Sequence, residues 1–264
     1  MTAFFRTFFA DIKRRFFSPS FWIMTIIAAA SYLLSSIDEM KYAWNSDSSD
    51  VLYFWDMAQN IGYFTSISIL CCTAINCTAF LNDYHSNFYR HCVMRSGKLN
   101  YTLSKYLSCV VTGGLTLALG LVIFVLILRV RFPLIAENSS YLELYVRSSD
   151  RIFTGELLAR GHYIGFFAVH TLLAFLFGAL WSSVGICMSA FILDKYVASF
   201  SPYIIWYTSR GVLSGAFKTE TIFNGNYNIG GVGGSLLFAF GYFGAVMIIL
   251  GVVFCVKAGR RCEN

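Results

Sequence analysis

The sequence predicts an all-α membrane protein with six transmembrane helices. Of its 264 residues, 57% are hydrophobic and only 13% are charged, whereas soluble domains have about 25% charged residues. Six apolar stretches approach or exceed the roughly 17 to 25 residues that a helix needs to cross the hydrocarbon core. The loops between them alternate in the sign of their charge. Little of the chain is left over for a separate soluble domain.

The predicted spans are apolar runs that, as helices, satisfy their own backbone hydrogen bonds in lipid. They cover residues of about 20–37, 57–81, 102–129, 162–192, 195–213 and 231–256. The fifth contains Ser201-Pro202, and proline either removes a helix hydrogen bond or starts a new helix. We therefore predict that this span is kinked or incomplete.

Two outer segments are less regular. The loop of about 130–160 is long enough for one or two short helices, and its stretch from Tyr141 to Val146 fits both the helix and the strand period. We leave that stretch unassigned. The segment 214–230 carries apolar side chains such as Phe217 and Phe223 among polar ones, so a partial return into the membrane is one interpretation.

The charge distribution predicts that both termini are cytoplasmic, in a multi-pass protein of the cell membrane. With the N-terminus inside, 12 of the 20 Lys and Arg residues and only four acidic residues, Glu263 among them, fall on the inner side. The outer loops are acidic, notably at Asp38-Glu39 and from Asp47 to Asp56. A bias of Lys and Arg toward the inner loops is the usual signature of orientation. The positive charge is thereby explained, and no nucleic-acid-binding stripe is predicted.

The eight cysteines do not predict a disulfide framework. Six lie in predicted spans, two lie in cytoplasmic segments, and none lies in an outer loop, where an oxidising environment would act. Cys71, Cys72 and Cys77 could be soft metal ligands, but no carboxylate or histidine accompanies them in their span. Small packing residues are the preferred interpretation.

Residues 1–18 predict an amphipathic helix that lies in the membrane interface. Apolar side chains recur at spacings of three and four, with charged residues between them. The apolar face includes Phe5, Phe8, Phe9, Ile12 and Phe16. Ser18-Pro19-Ser20 should end this helix and turn the chain into the first span. A cleaved signal peptide is the alternative, but no clear cleavage site follows.

The segment 82–98 between spans two and three predicts a short, basic, cytoplasmic helix. Asn82 or Asp83 can cap its start, and Gly97 follows its last turn, where a left-handed residue is wanted. Tyr84, Phe88 and Cys92 fall on one face. A solvated loop that only contributes positive charge fits the same pattern.

Stripes of small residues predict close helix packing in the third, fourth and sixth spans. Ala174, Gly178 and Ser182 step by four residues, and glycines recur from Gly230 to Gly251. We interpret these stripes as packing seams within a subunit or between subunits.

Catalytic motifs were sought and not found, so an enzyme is not predicted. The only Gly-Lys pair, Gly97-Lys98, has Cys92 in place of the first glycine of a phosphate-binding loop and Leu99 in place of Ser or Thr. No metal site or cofactor is predicted. His170 is the one ionisable residue well inside a span, where such groups are functional candidates by default. A neutral imidazole hydrogen-bonded to a neighbouring helix is the simpler interpretation.

The order of parts resembles the permease subunits of type 2 ATP-binding cassette exporters, especially the short forms of Gram-positive bacteria. Two stretches carry the resemblance. One runs from Asp11 through Lys13-Arg14-Arg15 to Ser18-Pro19-Ser20-Phe21-Trp22, and the other runs from Arg95 to Lys105. The similarity covers the whole chain in architecture, although an acidic pair around Asp83 is missing.

This resemblance implies a coupling helix at 82–98 that docks onto a separate ATPase subunit, beside an N-terminal elbow helix. ATP and Mg would be bound by that ATPase, and a second permease copy, identical or different, would complete the unit. The cargo would be hydrophobic or amphipathic, such as a peptide, lipid or drug. The coupling residues would be Asp83, Tyr84, Phe88, Arg90, Arg95 and Gly97.

Two rival functions stay open on the sequence. A secondary transporter or channel that works alone would place ionisable groups near the midplane, and only His170 offers one. An integral-membrane enzyme or sensor would need motifs that were not found.

Overall fold

The computed structural model describes residues 2–43, 49–60, 64–136 and 139–262, and within these ranges the regular structure is entirely helical. Asp47 and Glu263, which were counted in the prediction of membrane orientation, lie outside the described residues. The helices are α1 (Thr2–Phe16), α2 (Pro19–Ser35), α3 (Ile37–Ala43), α4 (Val51–Asn60), α5 (Phe64–His85), α6 (Phe88–Ser96), α7 (Lys98–Arg129), α8 (Ser140–Arg147), α9 (Gly155–Ala159), α10 (Tyr163–Phe191), α11 (Lys195–Val212), α12 (Thr219–Asn224) and α13 (Gly231–Arg261). A single 3₁₀ turn, Gly215–Phe217, precedes α12.

Four helices in the described ranges are long and apolar enough to cross a membrane: α5, α7, α10 and α13. A fifth is added if α1 and α2, whose axes differ by 59°, are counted together as one bent span. α11 does not reach the same hydropathy because Ser, Thr and Tyr side chains and two terminal cations interrupt its apolar residues. Pro202 lies within this helix, buried. Six crossings therefore stay a prediction.

The turn between α1 and α2 follows from local chemistry. Ser18 is the N-cap of α2 in an extended conformation, with φ −74° and ψ 137°, and Pro19 occupies the first helical position. Proline suits that position because it has no N–H to satisfy and its φ is already helical. The prediction that Ser18-Pro19-Ser20 separates the two helices is confirmed.

The predicted second span coincides with the end of α4 and most of α5, and its bounds stay a prediction. Residues 57–81 fall partly on α4, which ends at Asn60, and partly on α5, which begins at Phe64 and continues to His85. Residues 61–63 lie outside the described part of the chain.

The predicted start of the short helix at Asn82 or Asp83 is wrong. α5 runs through both residues, and α6 begins at Phe88 after Asn87, which has φ 55°. Asparagine tolerates this left-handed conformation better than most residues, and here it turns the chain between the two helices. Gly97 has a positive φ of 80°, as predicted, but its ψ of 154° is extended rather than left-handed helical.

The centre of the molecule is the contact between α7 and α10. A β-carbon on Gly178 of α10 would lie 2.6 Å from the carbonyl oxygen of Gly113 on α7, so the two backbones approach closely. The predicted packing seam at Gly178 is confirmed. α1, α2 and α5 pack around α7, whereas α13 lies at the periphery against α10 and α7.

The outer segments are helical where the sequence left them unassigned. The stretch 141–146 lies in α8, whose N-cap Ser139 accepts a hydrogen bond from the backbone N–H of Leu142 at 3.2 Å. The Tyr145 hydroxyl donates to Asp56 at 2.6 Å. This contact joins α8 to α4.

Candidate functional site

The α6 surface consists of Phe88, Arg90, His91, Met94 and Arg95, all of them exposed. Phe88 is 45% exposed and Met94 is 76% exposed, so two large apolar side chains stand among cations. Exposed apolar groups with surrounding charge are typical of protein contact sites. The structure thus places three of the predicted coupling residues, Phe88, Arg90 and Arg95, on one accessible element.

The opposite side of α6 is fixed to α5. Tyr89 is buried, and its ring stacks on that of Tyr84 with centroids 5.4 Å apart. The guanidinium of Arg90 donates from Nε to the Tyr89 hydroxyl at 3.3 Å. Burial is the main cause that raises the pKa of the Cys92 thiol, so this cysteine is a poor nucleophile at neutral pH. The Tyr84–Tyr89 stack therefore holds α6 against α5, and α6 carries no reactive thiol.

Behind α6, an ion pair is buried between α5 and α7. Lys105 and Asp83 are only 4% and 6% exposed, and Nζ of Lys105 lies 2.6 Å from Oδ2 of Asp83. The Tyr101 hydroxyl donates to the same oxygen at 2.9 Å. Asp11 of α1 lies 3.6 Å from the Lys105 ammonium. These residues, together with Arg15, form what we call the ion cluster.

Arg15 extends the ion cluster deeper into the helix bundle. It is 8% exposed, and its Nη1 donates to Oδ1 of Asn76 at 2.7 Å and to Sγ of Cys109 at 2.9 Å. The Thr112 hydroxyl donates to the same Asn76 oxygen at 2.9 Å. Arg15 therefore ties α1 to α5 and α7 through uncharged partners.

Asp83 was predicted as a coupling residue, and the structure places it inside the ion cluster rather than on the α6 surface. Tyr84 is likewise a residue of α5 that packs against Tyr89. Gly97 is exposed and is the one residue between α6 and α7. The sequence analysis missed the roles of Lys105, Tyr101 and Asn76. The sequence signal for the ion pair was an acidic residue near the end of one long apolar helix and a lysine near the start of the next.

α1 is amphipathic, but not all of its charges face outward. Phe5 and Phe9 are exposed, the latter by 62%, whereas Phe8, Ile12 and Phe16 are half-buried. The charged residues divide in the same way. Arg6, Lys13 and Arg14 are exposed, whereas Asp11 and Arg15 belong to the ion cluster. The position of α1 in a membrane interface stays a prediction.

His170 packs against aromatic rings and does not make the predicted hydrogen bond to another described residue. Its ring centroid is 5.0 Å from that of Trp55 and 4.4 Å from that of Phe166. Neither ring nitrogen has a hydrogen-bond partner among the described residues. The imidazole is packed as an aromatic ring between α4 and its own helix.

The cysteines are all present as free thiols. Cys71, Cys72 and Cys77 are buried in α5, and the described ranges contain no group of three or more His, Cys, Asp or Glu side chains arranged to hold a metal. Packing is the role that the structure gives these three residues.

Comparison of the chain with protein-family models, with curated proteins and with solved structures finds no match. The long apolar helices are those of a multi-pass membrane protein.

Proposed function

We propose that the chain is the permease subunit of a type 2 ATP-binding cassette exporter, which moves a hydrophobic or amphipathic cargo with energy from a separate ATPase. The observation that carries the proposal is α6, a short helix with exposed apolar and basic side chains between two long apolar helices. The bend between amphipathic α1 and apolar α2 supports it further.

In this proposal, α2, α5, α7, α10, α11 and α13 are the six spans, and both termini are cytoplasmic. The ends expected at the cytoplasmic side lie together. Arg261 at the end of α13 donates to the carbonyl oxygen of Phe191 at the end of α10 at 2.8 Å. A β-carbon on Gly259 would lie 2.7 Å from Cε of Lys98, where α7 begins. The basic residues thus collect at the α6 end, as the orientation rule expects.

The ATPase would bind ATP and Mg and would contact the α6 surface. Its movement would reach the spans through two connections. The Tyr84–Tyr89 stack joins α6 to α5, and the ion cluster joins α5 to α7 and α1. A second permease copy would face the same cargo pathway. Cargo would bias the transition only as far as its affinity differs between the two states.

The proposal predicts that Phe88→Asp and Arg95→Asp reduce ATPase association at least about ten-fold and abolish transport. An aspartate at either position replaces an apolar contact or reverses a charge that complements the partner, which costs several kcal/mol at an interface. The measurement is recovery of the ATPase, co-expressed from neighbouring genes, with the tagged permease in mild detergent.

Phe217→Asp and Arg151→Asp are the matched controls, because both residues are exposed at the opposite end of the helices. They should leave ATPase recovery unchanged. Equal recovery with the α6 variants and the controls, at equal membrane insertion, would remove the assignment of α6 as the coupling helix.

A secondary transporter that works alone is the second candidate, and His170 is the observation that favours it. Both nitrogens of this buried imidazole lack partners in the described chain, and ionisable groups inside membranes often mark ion pathways. Cargo uptake driven by an ion gradient, in vesicles that contain only this chain, would support this candidate over the first.

A further inference from the structure

A cleft of about 330 Å³ lies between α1, α2, α5 and α7. Its volume is within the range of about 300 to 1,000 Å³ that is usual for small-molecule sites. Five charged residues line it: Asp11, Arg14, Arg15, Asp83 and Lys105. The cleft is separate from the α6 surface, but residues of the ion cluster, which the coupling proposal uses, form one of its walls.

The charged residues of the cleft have a net positive charge, because three cations face two carboxylates. Lys105 is shared between the two carboxylates, at 2.6 Å from Asp83 and 3.6 Å from Asp11. Arg15 donates only to uncharged groups, and its Nη2 is buried without a hydrogen-bond partner in the described chain. A buried guanidinium with an unused donor is costly unless an anion compensates it. Arg14 adds a further, exposed cation at the rim.

The start of α2 adds donors on another wall of the cleft. Ser18 and Ser20 both line the cleft, and the side chain of Ser18 makes no capping hydrogen bond. The N-terminus of a helix carries unsatisfied N–H groups and partial positive charge, which favour a phosphate. The Ser18 N–H is bonded to the carbonyl oxygen of Arg15 and the Phe21 N–H to that of Ser18, and Pro19 has no N–H, so Ser20 supplies the backbone donor at this end. Two serine hydroxyls, this N–H group and two guanidinium groups therefore line one space.

Apolar residues also line the cleft and continue along α2. Met24 and Ile75 line it beside polar residues, and Ile23 and Ile27, which neighbour Met24 on α2, are exposed. Trp22 is exposed on the first turn of the same helix, and tryptophan is typical of the depth at which lipid headgroups lie. If the bound anion has hydrocarbon chains attached, these chains can therefore lie against the exposed apolar residues of α2.

We propose that this cleft binds the phosphate-bearing headgroup of an anionic phospholipid from the leaflet that borders α1. Arg14 and Arg15 hold the phosphate, the start of α2 donates to it, and the acyl chains lie along the exposed apolar residues of α2. Basic pockets between membrane helices bind such headgroups in this way. The bound lipid would fix the angle between α1 and α2.

The test uses the full chain, purified in mild detergent, and measures its thermal midpoint during titration with phosphatidylglycerol or phosphatidylcholine. Arg15→Gln could fail to fold because Arg15 holds Asn76, so Arg14→Gln is the informative variant. A cation at the membrane surface contributes enough for an apparent affinity change of about five-fold. We expect phosphatidylglycerol to stabilise the wild type more than phosphatidylcholine. Arg14→Gln should raise the phosphatidylglycerol concentration that gives half of this stabilisation about five-fold.

Lys13→Gln is the matched control, since Lys13 is exposed on the same helix but does not line the cleft. It should keep the wild-type response. Equal losses in Lys13→Gln and Arg14→Gln, or equal effects of the two lipids on the wild type, would overturn the site. Stabilisation by millimolar inorganic phosphate, with displacement of phosphatidylglycerol, would assign the cleft to free phosphate and overturn the lipid. None of these measurements needs an ATPase, so their failure would leave the proposed function untouched.

Discussion

Lys105→Met is expected to lower the free energy of unfolding by about 3 kcal/mol or more. The substitution leaves the carboxylate of Asp83, which is 6% exposed, without its ion-pair partner. Removing one member of a buried pair costs roughly 3 to 5 kcal/mol, because the other charge stays buried without compensation. Among the described residues, the Tyr101 hydroxyl would then be the remaining side-chain donor to Asp83. The measurement is unfolding of the purified chain in mixed micelles with increasing denaturing detergent.

Lys195→Met is the control for Lys105→Met, since Lys195 is exposed at the start of α11, and its stability should not change. The double variant Lys105→Met, Asp83→Asn should recover most of the loss because it removes the buried negative charge. If Lys105→Met is as stable as Lys195→Met, the ion cluster does not contribute to stability as argued.

Gly178→Ala is expected to destabilise the α7–α10 contact by about 2 kcal/mol. The added β-carbon would lie 2.6 Å from the carbonyl oxygen of Gly113 and 3.1 Å from Cγ of Leu117. The first neighbour is backbone and cannot rotate away, so the two helices must separate. Overpacking of this kind costs about 1 to 3 kcal/mol, and α7 and α10 form the centre of the molecule.

Gly244→Ala provides the comparison, because a β-carbon at Gly244 would meet no atom within 4 Å. Alanine is also the better helix former by up to about 1 kcal/mol, so this variant should be as stable as the wild type or more so. Both variants are compared by thermal midpoint in one detergent. Equal midpoints for Gly178→Ala and Gly244→Ala would contradict the close approach of α7 and α10.

The helical fold was predictable because apolar length is a property of consecutive residues. α2, α7, α10, α11 and α13 begin and end within a few residues of the predicted stretches, apart from the longer ends of α7 and α13. The end of α5 was not predictable in the same way. Asn82 and Asp83 are residue types that cap helices, but both lie inside α5, and the chain turns only at Asn87.

The candidate site was predictable only in part, for a similar reason. The exposure of Phe88, Arg90 and Arg95 follows from a short polar segment between two apolar ones. The pairing of Asp83 with Lys105 needs the antiparallel arrangement of α5 and α7, which no local pattern contains. Asp11 and Arg15 are four residues apart and so share one helix face. Their partners lie far along the chain, however: Lys105 for Asp11, and Asn76 and Cys109 for Arg15.

The hydrogen bonds of Arg15 set an order of events during biosynthesis. Its two partners are 61 and 94 residues further along the chain, so neither exists when α1 leaves the ribosome. At about 5 to 20 residues per second, the wait for the second partner is roughly 5 to 20 s. Until then the guanidinium must stay hydrated or bound to lipid phosphate at the membrane surface. α1 therefore reaches its final place only after helices that are translated later.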